Sequence, residues 1–296
     1  MKDISTTIKT LYASTAEITL TLGTPLMPLY TKEVFAEVKT TVLLAVKNTP
    51  SILPNAHPFL IDAIEITDLL EENKLTFTVM VKGVHKTNLD AEAMLGASIA
   101  GIALRQFFNG NPDGSVDLGP VKMVSGKGGT NKFKRMYPLG LKAAVVVCSD
   151  TISEGKKEDA AGKAIIKKLK ECNVEVLNYE IVPDEKDIIA SKAKELSRDH
   201  NLLIYTGGTG LSYRDITPEA LKPLLDREIP GIEEAIRSYG QERMPFAMLS
   251  RSVAGTIGNC LVLALPGSTN GARESMEAIF PHVLHVFKIL RGQGHD

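Results

Sequence analysis

Cysteine is scarce in this chain: three residues in 296, at Cys148, Cys172 and Cys260, with no CxxC pair. That argues against a thiolate metal site or a disulfide framework, and these cysteines read as small core residues in a reducing compartment. Long apolar runs are also missing. None approaches the ~20 residues that span a bilayer, and the opening stretch MKDISTTIKTLYAS lacks the apolar core of a secretory leader. The expectation is a cytoplasmic protein with no membrane partner. Neither sign of charge is in excess, with 34 Lys and Arg against 35 Asp and Glu and a net charge of −1. Nucleic acid as a partner by bulk attraction is therefore not expected. No Gly-rich turn is followed by GK[ST], which argues against an ordinary phosphate-loop NTPase.

What is present fits two globular domains. A chain of 296 residues suggests about two units of ~150 residues. The first, taken as residues 1–135, mixes helix and strand patterns. Residues 32–47 place apolar side chains at spacings of three and four, as an amphipathic helix does. Pro50, Pro54 and Pro58 interrupt the chain. Residues 59–66 and 75–81, rich in β-branched side chains, flank the polar turn EENK and predict a hairpin with a four-residue loop. Residues 87–108 predict a long helix whose Ala and Gly positions allow close packing, ended by NGNPDG. The pattern is α+β around an antiparallel sheet. Residues 126–140, rich in Gly and Lys, read either as a solvated connector or as an anion-binding arm of the first domain.

From Leu141, in the domain taken as 136–296, the texture changes. AAVVVCSD, VEVLNYEIV, LLIYTGG and CLVLALPG are short buried-type strands. Helices are predicted at about 159–170 and 186–197, with two more before the last strand and one after it. This predicts a doubly wound, mostly parallel α/β sheet, which binds ligands at the carboxyl ends of its strands.

Three strands end in groups suited to phosphate. The first ends in Ser149, Asp150, Ser153 and Gly155. The third ends in Thr206, Gly207, Gly208, Thr209 and Gly210. The last ends in Pro266, Gly267 and Ser268. Glycine lets backbone N–H groups approach phosphate oxygens, and helix starts add positive dipole ends. Each turn alone reads as a tight structural turn, whereas three at successive strand ends point to a phosphate site. Asp184 follows the second strand, and Asp215 lies five residues past TGGTG. Thr217-Pro218-Glu219 reads as a helix start with Thr217 as its N-cap, which leaves Asp215 without a capping role. Carboxylates beside a phosphate cradle repel it unless a cation intervenes, so Mg²⁺ held by Asp184 and Asp215 is the expected third component. His282 and His285 lack a third ligand and read as surface or interface residues.

TGGTG with RDITPEAL in register, followed by EIPGIEEAIR, LSRSVAG and LALPGSTNGARES, resembles the family of MogA, MoaB and the gephyrin G domain. CSDTISEGKKEDAAG fits the same family, and the likeness covers about residues 141–289. It implies transfer of AMP from ATP to the terminal phosphate of molybdopterin, with release of pyrophosphate. It further implies that Asp184 and Asp215 matter for the reaction, and that the phosphate loops contact substrate and nucleotide together with Ser250, Arg251 and Glu274. A phosphate nucleophile is already anionic, so no Ser–His or Cys–His pair is needed.

With that neighbour, the first domain resembles the MoaC family of cyclic pyranopterin monophosphate synthases over about residues 32–132. Lys32 matches a Lys before the first long helix. His57-Pro58 matches a CHP turn, with Ala56 in place of Cys. Asp90 and Glu92 match two glutamates at a helix start. Gln106 and Asn109 stand where the family has Asp and Lys, and Thr130 stands where a final Lys belongs. Amides cannot exchange protons at neutral pH, and losing lysines removes charge that would oppose a triphosphate. The expectation is a domain weakened or dead for that reaction, serving as an oligomerisation scaffold or pterin carrier. A working bifunctional enzyme and a non-catalytic pterin-binding module remain the alternatives for the whole chain. Both families imply a trimer-based homo-oligomer and dealings with other molybdenum-cofactor enzymes.

Overall fold

In the computed structural model, residues 3–108, 115–128 and 137–292 are described, with the backbone alone for 24–26. The chain forms two units, Met1–Lys132 and Phe133–Asp296. Among the described residues no helix is long and apolar enough to cross a membrane.

The first unit runs β1 (Thr10–Leu22), α1 (Lys32–Lys47), α2 (Thr49–Ile52), β2 (Ala63–Glu71), β3 (Lys74–His85), α3 (Asp90–Phe107) and β4 (Val116–Gly128). Its sheet has the order β2-β3-β1-β4, antiparallel throughout. Period-two alternation buries Ala16, Ile18, Leu20 and Leu22 of β1 beside Leu75, Phe77, Val79 and Val81 of β3. Those side chains and the buried stripes of α1 and α3 form one core. A Cβ added at Gly96 would meet Val46 and Val79, so this glycine lets α3 lie close on both α1 and the sheet.

Three expectations for this unit need correction. β2 starts at Ala63 rather than residue 59, and the ladder continues to the pair Glu71↔Lys74. Extra cross-strand pairs such as Leu70↔Leu75 absorb the predicted loop, leaving Glu72 and Asn73 as the turn, with Glu72 at φ +53°. The long helix begins at Asp90 rather than Thr87. Residues 126–128 belong to β4 and pair with β1, so they are not connector. Pro120 and the glycines of β4 are tolerated because this strand lies at the sheet edge.

The second unit runs β5 (Lys142–Cys148), α4 (Asp150–Ser153), α5 (Ala161–Glu171), β6 (Glu175–Val182), α6 (Lys186–Leu196), β7 (Leu202–Thr206), α7 (Thr217–Leu221), β8 (Arg227–Glu228), α8 (Pro230–Gln241), β9 (Val253–Ile257), β10 (Cys260–Leu265), α9 (Thr269–Ile279) and α10 (Val286–Leu290). The sheet order is β6-β5-β7-β10-β9-β8. β6, β5, β7 and β10 are parallel; β9 runs against β10, and β8 against β9. Ala143–Cys148, all of β7 and all of β10 are buried, as continuous apolar strands covered on both faces should be. Burial pushes the Cys148 and Cys260 thiols up to about 12, which makes them inert core groups. His282 is likewise a packing residue: its Nδ1 lies 2.8 Å from the Tyr137 hydroxyl.

The order places β5 beside β7, with β6 on one side and β10 on the other. The chain therefore leaves β5 and β7 in opposite directions, the switch point at which open α/β sheets form a crevice.

Candidate functional site

The turns leaving β5, β7 and β10 meet at this crevice. Gly207, at φ +104°, lies so close to the Cys148 carbonyl that no Cβ fits between them. A Cβ on Gly267 would come within 2.9 Å of the Gly207 Cα. Gly208, at φ +62°, faces the Thr217 hydroxyl and Asp184 Oδ1. The loop is then locked to α7. The Thr217 hydroxyl donates to Gly207 O at 2.9 Å, and its N–H donates to Gly208 O at 3.0 Å. This corrects the expected N-cap: Ile216 precedes the helix, and Thr217 is its first residue. Asp215 stays outside the helix, its Oδ2 accepting from the Ser212 N–H at 2.7 Å.

Two aspartates from different strand ends sit side by side. Asp184 Oδ2 accepts from the Asp150 N–H, and Asp150 Oδ1 accepts from the Asp184 N–H. Arg214 donates from Nε and Nη2 to Asp150 Oδ2, at 2.9 and 2.5 Å. The Asp184 N–H bond and the guanidinium hold the Asp150 carboxyl below its ordinary range. Asp184 goes the other way: burial, then the neighbouring Asp150 and Asp215 carboxylates, raise it. Its Oδ1 is buried and has no hydrogen-bond partner. Asp215 is close on the other side of the loop, since a Cβ on Gly210 would lie 2.9 Å from Asp215 Oδ2. Among the described residues no three ligating side chains converge as a metal cage. Mg²⁺ commonly takes one or two carboxylates and completes its shell with substrate phosphates and water. An orphaned, buried carboxylate oxygen beside a phosphate-type loop fits that arrangement.

On the other face of the loop lies a cavity of about 610 Å³. Thr209, Gly210, Ser250, Pro266, Gly267, Ser268 and Glu274 line it, so the structure brings these sequence candidates together. Ile236, Met244, Phe246, Ala247 and Leu249 form an apolar wall, and Arg237, Arg243 and Asn270 add polar groups. Those wall residues and the three polar groups are absent from the sequence reading. Arg243 stacks on Tyr239, 3.4 Å from the ring centre, and donates to its carbonyl at 2.6 Å. Ser268 caps α9, accepting from the Gly271 N–H at 3.1 Å. The pairing of an apolar wall with phosphate-type loops suits a flat heterocycle that carries an anion.

Other candidates serve the loops. Ser149 caps α4, the Ser153 hydroxyl donates to Asp150 O, and Gly155 ends the turn at φ +72°. The Thr206 hydroxyl is buried and donates to Pro266 O, tying β7 to the loop after β10. Arg251 donates from Nε to Gly210 O at 2.8 Å, from Nη2 to Asp215 O at 2.5 Å, and from Nη1 to Glu219. Its fork spans both sides of the Asp215 turn.

In the first unit, Asp90 accepts from the Ser14 hydroxyl at 2.7 Å and from Asn88 at 2.6 Å. Glu92 is buried at 3% exposure, and burial raises its carboxyl; Asp90 adds to the rise, and nearby His57 opposes it. His57, Asp90 and Glu92 thus share one neighbourhood. Lys32 is exposed at the first turn of α1, and Gln106 is exposed on α3. Asn109 and Thr130 lie outside the described residues.

The second unit is thus an α/β domain whose glycine-rich strand-end loops border a cavity of about 610 Å³. The comparisons agree. The family described as "Probable molybdopterin binding domain" matches residues 144–285, and the MoaC family matches residues 1–129. A molybdenum cofactor biosynthesis bifunctional protein of Chlorobaculum tepidum is 29% identical over 263 residues, covering 88% of this chain and 83% of that one. A molybdopterin adenylyltransferase of Helicobacter pylori is 38% identical over 152 residues, 50% of this chain and 86% of that one. The crystal structure of the molybdopterin biosynthesis enzyme MoaB from Thermus thermophilus superposes with a TM-score of 0.50 at 40% identity, covering 53% of this chain and all of that one. This chain belongs to the molybdopterin-binding family of MoaB and MogA, joined to a MoaC-family domain.

Proposed function

We propose that the second unit adenylylates molybdopterin, taking AMP from ATP and releasing pyrophosphate, as a step of molybdenum-cofactor biosynthesis. The observation that carries this reading is Asp184 Oδ1, a buried carboxylate oxygen without a partner, set against Gly208 with Asp215 across the same loop. A bound Mg²⁺ would neutralise phosphate charge there, with Asp184 and Asp215 as its protein ligands. The chain's own residues do the positioning. The Gly207–Gly210 and Pro266–Ser268 turns offer backbone N–H groups to phosphate oxygens, and the apolar wall takes the heterocycle. Arg251 and Thr217 keep the loop fixed while the attacking phosphate lines up with the α-phosphorus. The acceptor phosphate is already anionic and needs no general base.

For the first unit, the reading is a MoaC-type pocket around His57, Asp90 and Glu92 that is impaired in turnover, since Gln106 replaces a carboxylate. A cytoplasmic, trimer-based assembly that exchanges pterin with other molybdenum-cofactor enzymes completes the reading, supported by the family resemblances.

The test is pyrophosphate release by the purified chain given molybdopterin, ATP and Mg²⁺. Asp215→Asn keeps an acceptor for the Ser212 N–H, so the fold should survive while the rate falls on the order of 10²–10³-fold. Wild-type turnover in that variant would overturn the reading.

A further inference from the structure

A second cavity of about 560 Å³ lies beside the first, and Arg237 and Ser250 line both. Its composition is different. The first has an apolar wall, whereas charged side chains dominate here: Lys186, Lys222, Arg237 and Arg251 against Glu219 and Glu233. The carboxylates are already engaged. Glu233 pairs with Arg237 at 3.5 Å and accepts from the Ala254 N–H at 3.2 Å, and Glu219 pairs with Arg251. Lys186 and Lys222 form no ion pair among the described residues. After the two pairs cancel, these ammonium groups leave the cavity with a surplus of two positive charges.

Its position connects it to the chemistry. Lys186 follows Asp184 by two residues at the start of α6, and Glu219 follows Asp215 by four at the start of α7. Arg251, on the cavity wall, also holds the Asp215 carbonyl. The starts of the two helices that follow these aspartates thus both line the cavity, as does the Arg251 side chain that holds the Asp215 turn. A single small anion underfills about 560 Å³, a volume that suits a di- or triphosphate.

We propose that this second cavity is a polyphosphate subsite that receives the pyrophosphate leaving group. The inference rests on the adenylyl-transfer reading. In that reaction a phosphate oxygen of the acceptor forms a bond to the α-phosphorus, and the bond from that phosphorus to the α,β-bridging oxygen breaks. The electron pair leaves with the bridging oxygen on pyrophosphate, and no proton need move. Lys186 and Lys222 would stabilise the charge that gathers on the departing group.

The test uses the full chain and tripolyphosphate as probe, with titration calorimetry at fixed ionic strength. The wild-type chain should bind it saturably. Lys186→Glu with Lys222→Glu should weaken binding on the order of tenfold or more, because each reversal replaces attraction to a polyanion by repulsion. Lys167→Glu with Lys168→Glu makes the same change of net charge on α5 and should stay within about twofold of wild type, as distant screened charges do. Melting curves for each variant verify folding. Equal affinity in the wild type and the Lys186/Lys222 variant, or no saturable binding by the wild type, would overturn the proposal. The probe requires no turnover. Loss of binding in that variant, with no adenylyl transfer by the wild-type chain, would leave the subsite standing and remove the reaction assigned to it. Transfer with unaltered probe binding would do the reverse.

Discussion

Asp150 and Asp184 hold each other's backbone: the Asp150 N–H donates to Asp184 Oδ2 at 3.2 Å, and the Asp184 N–H donates to Asp150 Oδ1 at 2.9 Å. This handshake joins the ends of β5 and β6 and sets two like charges side by side. The Arg214 guanidinium donates to Asp150 and not to Asp184. Asp184 is left as the group with unmet electrostatic demand.

Asp184→Asn should therefore raise stability while abolishing adenylyl transfer. The native carboxyl is raised by burial and by its neighbours, so its ionised form costs folding free energy. That cost is absent below the ordinary aspartate value of 3.8, where the group is protonated folded or unfolded, and it grows as pH rises through the folded-state value. At neutral pH the amide variant should melt higher, by about 1–3 °C, and the gap should close in acid. A variant that melts lower at neutral pH contradicts this account.

Gly207 and Gly155 both hold positive φ, but only Gly207 is crowded. Gly207→Ala pushes a Cβ into the Cys148 carbonyl, whereas Gly155 faces open space. Gly155→Ala should cost about 1 kcal/mol from backbone strain alone. Gly207→Ala should cost about 3 kcal/mol or more, because overpacking adds to strain. Urea melts of the two variants give the comparison, and equal losses would refute the close approach of the β5 and β7 ends.

Arg251→Lys keeps the charge but loses the fork. An ammonium cannot reach Gly210 O, Asp215 O and Glu219 together as the guanidinium does. The loop and the Asp215 turn should then drift relative to each other. Turnover is expected to drop about 10- to 100-fold, as misplacement of reacting groups does, with a smaller change in pterin affinity. Unchanged kcat would show that the fork does not position the reaction.

The first unit should form cyclic pyranopterin monophosphate poorly from the cyclised GTP-derived triphosphate. Gln106 has no accessible proton-exchange equilibrium, and Asn109 and Thr130 supply no cation for the triphosphate. In the full chain, the triple change Gln106→Asp, Asn109→Lys and Thr130→Lys should raise product formation on the order of 10²-fold. Efficient formation by the native chain would make it a true bifunctional synthase.

The sequence disclosed what local pattern encodes. Buried runs such as Ala143–Cys148 announced parallel strands, and TGGTG announced the glycine-rich loop that lies against Asp184 and Asp215. β1 and β4 were harder to read. β1 does alternate, but β4 carries Gly119, Pro120 and Gly126, whose low strand propensity is outweighed by edge pairing with β1. Thr217 looked like a cap because its residue type and the following Pro fit one, yet its hydroxyl is used across the crevice. The cavity wall was invisible. Phe246 and Leu249 lie in a five-residue 3-10 helix, Pro245–Leu249, and Met244 precedes it, a stretch too short for an apolar period to show, while Arg237 and Lys222 line one cavity only through folding.

The reversal of β9 has a consequence for how such a domain can change. β9 begins at the edge where the parallel strands end, so residues 242–252 come to the cavity from upstream of a strand, while the glycine loops come to it from downstream. The wall carrying Arg243, Phe246 and Ser250 thus hangs on a different strand from the loops that bear Asp184 and Asp215, and Arg251 is the tie between them, through Gly210 O and Asp215 O. Changes in the exposed stretch before Ser250 can therefore reshape the cavity wall while the Arg251 tie keeps the aspartate loops in place.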